Sequence, residues 1–205
     1  MAIFPEIRRL ARAATWRAGL SALALAGLFQ PAFAAPEKYM LDPGHSQILF
    51  SYNHLGFSTT WGMFAGFGGE IMYDREAPKN SSVTVSFPVG LMYTGWEPRR
   101  EHFMSPDFFK DGAESTVRFT STAIEVTGEN TGRITGDLTL NGITRPVVLE
   151  AQLNQEGTHP MENKPWLGFS ATTMVKRSDF GLGMFAPYVS DEVEIRISIE
   201  AGKAE

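Results

Sequence analysis

Apolar and polar side chains alternate with a period of two along most of the chain beyond residue 47. A chain written that way folds as strands that each bury one face. The last run is the clearest: Val193, Ile195, Ile197 and Ile199 fall on one face, and Glu194, Arg196, Ser198 and Glu200 on the other. Earlier runs place Ile48 with Phe50 and Tyr52; Phe67 with Gly69, Ile71 and Tyr73; and Val83 with Val85, Phe87 and Val89. A fourth begins at Val117 and Phe119 and continues through Ile124 and Val126. Ile134 to Leu140, Val147 to Leu153 and Leu167 to Val175 supply three more, so eight strands are expected. The connections are short. Asn141-Gly142 is the dipeptide of a type I′ hairpin, and tight turns join antiparallel neighbours. Residues 94–112 do not alternate and predict one or two short helices, and residues 155–165 read as a polar loop.

Eight half-apolar antiparallel strands are stable as a closed barrel or as a two-sheet sandwich. Gly66, Gly68 and Gly69 fall within one strand. Glycine weakens a strand unless it permits a sharp bend, which is what closing a barrel demands. The expected fold is therefore all-β: an eight-stranded antiparallel barrel with one or two short helices. A barrel of that size is filled by its own side chains or holds one small ligand. The chain has no cysteine, which excludes a disulfide framework and a thiol nucleophile. Its 18 basic residues against 23 acidic ones give no footprint for a nucleic acid.

The first 34 residues read differently. Arg8, Arg9, Arg12 and Arg17 stand against one acid, Glu6; an apolar run over residues 18–29 follows, then Pro31-Ala32-Phe33-Ala34. A basic stretch, a short apolar run and small residues at alternate positions describe a signal peptide cut after Ala34. The run is shorter than the ~20 residues that span a bilayer. An exported, soluble, periplasmic domain over residues 35–205 is expected, more acidic than the whole chain because the leader takes four arginines with it.

The inward faces are rich in rings. Phe50, Tyr52, Phe67, Phe87, Phe119 and Phe169 either pack against one another and fill the interior or line a tunnel for a long apolar guest. His54 follows Tyr52, and Arg177 follows Val175, at even spacing, so both are expected to point inward. An inward arginine needs an anion. It pairs with Asp179 or another carboxylate, or it joins His54, Arg100 and His102 in receiving a polar head group at a mouth formed by residues 94–112. Catalytic patterns are weak. There is no G-x-S-x-G elbow or Walker loop, and the four histidines are too scattered to suggest a metal.

Several segments together resemble the YceI-like family of exported proteins. They are Tyr39-Met40-Leu41-Asp42-Pro43-Gly44-His45-Ser46, Asn53-His54-Leu55-Gly56-Phe57, Trp61-Gly62-Met63-Phe64, Arg100-Glu101-His102-Phe103, Gly136-Asp137-Leu138-Thr139-Leu140-Asn141-Gly142-Ile143-Thr144-Arg145-Pro146 and Arg177-Ser178-Asp179-Phe180-Gly181. The resemblance runs from about Tyr39 to Ile199. It implies a lipocalin-like periplasmic barrel, often a homodimer, that binds a polyisoprenoid of quinone or prenyl-phosphate type and sequesters or carries it. No catalysis, metal or cofactor beyond the bound lipid is expected. Asn141 stands where a histidine is frequent in that family. The competing reading is a filled barrel that docks on a membrane redox or envelope-stress partner.

Overall fold

The computed structural model describes residues 35–205; the expected leader lies outside the described residues. Eleven hydrogen-bonded segments are present: β1 Glu37–Leu41, β2 Gln47–His54, β3 Ser58–Ala65, β4 Gly69–Tyr73, β5 Ser82–Pro88, β6 Met92–Tyr93, β7 Thr116–Val126, β8 Thr131–Leu140, β9 Ile143–Thr158, β10 Pro165–Lys176 and β11 Glu192–Lys203. They make eight strands, because the first three strands are each broken once. β11 pairs with β2 through Ile195↔Phe50 and with β1 through Tyr39↔Lys203, so β1 and β2 are two halves of one strand. In the same way β4 pairs β1 where β3 pairs β2, and β5 pairs β4 where β6 pairs β3. The ring closes through β1 and β11, and every pairing is antiparallel. The protein is an eight-stranded up-and-down barrel.

The break between β3 and β4 falls at the glycines the sequence singles out. Gly66 has φ +74°, a backbone region that side chains with a Cβ seldom occupy, and the strand turns there. The sequence reading places the start of the second strand at Phe67 and misses β3. Its Ser58-Thr59-Thr60-Trp61 stretch carries no alternating apolar pattern. The predicted polar loop over residues 155–165 is also too long, since β9 continues as strand to Thr158. Between residues 94 and 112 one helix forms, α1 Glu97–Phe103, opened by Pro98 in its first turn.

The two barrel ends differ. One is closed by α1, by the chain between β10 and β11, and by Phe109, Phe180 and Leu182, all buried. Asn141 helps to fasten this closure. Its Oδ1 accepts the Lys110 N–H at 3.0 Å and its Nδ2 donates to the Phe180 carbonyl at 3.1 Å. Asn141 therefore ties two closing segments together as well as making the β8–β9 turn.

Candidate ligand cavity

The barrel is hollow toward its other end. A cavity of about 460 Å³ runs between the strands, within the range of small-molecule sites. Its wall is aliphatic and aromatic, made by the alternating residues of β5, β7 to β11 and part of β4. Phe67, Phe87, Phe119 and Phe169 line it. Phe50 and Tyr52 do not. They point inward but lie deeper, Phe50 against Phe64 (5.7 Å between ring centroids) and Tyr52 against Phe103 on α1 (6.3 Å). The floor is a stack of rings, with Phe64 5.2 Å and Phe67 4.9 Å from Phe87.

The four residues expected at a polar end all sit at the closed end, and none lines the cavity. Arg177 is buried, 9% exposed. Its guanidinium donates to four backbone carbonyls: Ser190 at 2.8 Å, Met184 at 2.7 Å, Val189 at 2.8 Å, and Leu182. Its partners are thus neutral carbonyl oxygens of the β10–β11 connection, and this clamp stands in place of the expected ion pair with Asp179 or another carboxylate. Burial lowers the guanidinium pKa from its ordinary value, opposed by the nearby Asp191 carboxylate. Arg100 likewise donates to the Met92 and Gly90 carbonyls and to Glu97. His102 is exposed beside Phe108 and Asp107, and His54 is exposed at the end of β2, where it bridges to Val189.

The mouth lies at the opposite end, between the β4–β5 connection, the β7–β8 hairpin and the end of β9. Three charged residues line the cavity, all there: Arg75, Glu129 and Glu156. Tyr73 donates its hydroxyl to Glu156 Oε2 at 3.3 Å, and Arg75 Nε stands 3.5 Å from Glu156 Oε1. Burial first, then the Glu156 charge, push the Tyr73 phenol up to about 12. The fold favours the protonated phenol, so this share of stability is whole below the unfolded value near 10 and fades as pH rises toward 12.

Glu156 reaches the mouth because of an irregularity. Leu149, Ala151 and Leu153 face inward, so strict alternation would bring Gln155 in next. The β9–β10 register slips between Gly168 and Phe169, where Leu153 pairs with Phe169 but Glu156 pairs with Leu167. That bulge re-aims the strand and turns Glu156 to the inside. A second bulge, at Thr122 in β7, moves the inward parity from Phe119 to Ile124 and Val126. Tyr73 and Arg75 follow Ile71 at even spacing, a signal present in the sequence that pointed to this end.

Outside the cavity, Asp42, His45 and Glu200 bring possible metal-ligand atoms within 4.8 Å of one another. His45 Nδ1 and Asp42 Oδ2 already pair at 2.6 Å, and Glu200 accepts the Trp166 indole N–H at 2.9 Å. Each group therefore has a partner from the chain itself.

The site is thus a closed barrel with an apolar lumen, a ring-stacked floor and a polar rim. The YceI-like domain model matches residues 39–201, and the chain belongs to that family. A UPF0312 protein of Ectopseudomonas mendocina is 36% identical over 183 residues, covering 88% of this chain and 95% of its own. One from Photorhabdus laumondii is 36% identical over 182 residues, covering 89% and 94%. Among solved structures, Burkholderia cenocepacia BcnA matches with TM-score 0.70 at 22% identity over 78% of this chain and 98% of its own. The Campylobacter jejuni YCEI protein matches with TM-score 0.67 at 27% identity, over 75% and 90%. A polyisoprenoid binding domain from Saccharophagus degradans shares the fold, with TM-score 0.58 at 14% identity over 81% and 98%.

Proposed function

We propose that this protein is an exported, periplasmic lipid-binding protein and not an enzyme, holding an isoprenoid chain in its barrel to sequester or carry it. The observation that carries this reading is the cavity. Its wall is almost wholly hydrocarbon, it is closed below by Phe64, Phe67 and Phe87, and it reaches solvent at a rim with hydrogen-bonding groups. Water in such a lumen makes few hydrogen bonds, and a hydrocarbon that replaces it gains about 0.8 kcal/mol per methylene. A farnesyl chain gains on the order of 10 kcal/mol before ordering costs, enough for tight binding. Membership of the YceI-like family, and the likeness in fold to a domain described as polyisoprenoid binding, support the lipid class. The filled-barrel alternative has less support, because the rings that were its basis fill only the lower part of the lumen. Native mass spectrometry of delipidated protein mixed with farnesol tests the reading. A one-to-one complex is expected; free protein alone, at farnesol concentrations well above micromolar, would refute it.

A further inference from the structure

The mouth of the cavity carries information about the head group, and it argues for a neutral one. Two carboxylates, Glu129 and Glu156, and one guanidinium, Arg75, line the opening. Glu156 is the more enclosed, with 24% of its side chain exposed against 76% for Arg75. Both of its oxygens are engaged, one by Tyr73 and one by Arg75. Arg75, the one cation among the described residues that line the cavity, is thus already paired with an inward carboxylate. A diphosphate that drew Arg75 away would leave Glu156 facing it.

The other cations at this end do not line the cavity: Lys79 stands exposed on the β4–β5 connection, and Lys164 lies 5.4 Å over the Trp166 ring. Lys203 lies 2.6 Å from Glu37, and Lys38 lies 2.7 Å from Glu70. Diphosphate sites use several cations or backbone N–H groups converging on the oxygens. The arginines that might have supplied them, Arg100 and Arg177, donate to backbone carbonyls at the far end of the barrel. The rim does offer neutral hydrogen-bonding groups, the side chains of Ser82 and Asn130. These suit a hydroxyl or a quinone carbonyl.

We infer that the lumen selects an isoprenoid with an uncharged, oxygen-bearing head, a prenol or a prenylquinone, and discriminates against prenyl diphosphates through Glu156 and Glu129. This rests on the lipid-carrier reading above and narrows it. Farnesol and farnesyl diphosphate share one chain and differ only in the head, so equilibrium dialysis of the protein against each, radiolabelled, isolates the rim. Farnesol is expected to bind at least tenfold more tightly at low ionic strength. The Glu129→Gln/Glu156→Gln double variant is expected to cut that preference at least threefold. Raising the salt concentration on the unaltered protein should also shrink it, since charge repulsion is screened while the shared chain contributes equally. The salt series keeps the test decisive even if the variant folds poorly. Farnesyl diphosphate binding as well as or better than farnesol overturns the inference and leaves the carrier reading standing, as does a farnesol preference that neither salt nor the variant moves. Failure of both ligands to bind overturns the carrier reading and the inference with it.

Discussion

Ala171→Trp is expected to lower farnesol affinity by tenfold or more while the barrel stays folded. Ala171 lies midway along β10, on the cavity wall, opposite Ala151 of β9 and Ile197 of β11. Two facing alanines on adjacent strands leave the lumen wide at that level. An indole projecting from one of them would occupy the space the prenyl chain needs. In a close-packed core such a substitution costs about 1–3 kcal/mol in strain. Here the ring enters an existing void and brings its own apolar contacts, so the thermal midpoint should change little. Equilibrium dialysis with farnesol reads the first effect and circular dichroism on heating reads the second. Unchanged affinity in a folded Ala171→Trp variant would place the ligand elsewhere.

The second large effect concerns stability alone. Arg177→Met is expected to cost about 3–5 kcal/mol, because it removes four charge-assisted hydrogen bonds that one side chain makes to backbone carbonyls. Water reaches part of that connection, which keeps the loss below the sum of four charged hydrogen bonds. Arg177→Lys should recover little. An ammonium carries the charge but lacks the planar fork that reaches Met184, Leu182, Val189 and Ser190 together. Urea denaturation gives the free energy from the shift in midpoint. Farnesol affinity measured on the protein that remains folded should stay within about twofold, since a 1.4 kcal/mol change would already be tenfold. A large loss of affinity with unchanged stability would instead make Arg177 a ligand contact.

The strand count, antiparallel order and closure were legible because period-two alternation reports burial directly, and the Gly66 bend because glycine inside a strand has few other uses. Four of the six rings expected along the tail, Phe67, Phe87, Phe119 and Phe169, line the cavity for the same reason. Phe50 and Tyr52 share their inward parity but not their depth, and alternation says nothing about depth along a barrel axis. The rim was less legible. Alternation puts Gln155 inside, and the β9 bulge puts Glu156 there; a one-residue slip in register leaves no trace in composition. Arg177 shows the converse limit. Its inward parity was read correctly, and a buried arginine does need acceptors, but those acceptors are main-chain carbonyls that no side-chain pattern displays.

A crystal structure of the protein grown with farnesol tests the hollow-barrel carrier most directly. The expected result is elongated density inside the lumen, running from the ring floor at Phe87 past Phe169, with the hydroxyl at the rim near Tyr73 and Glu156. Density confined to the closed end beside Arg177 and His54, or a ligand bound only on the outer surface, would contradict it.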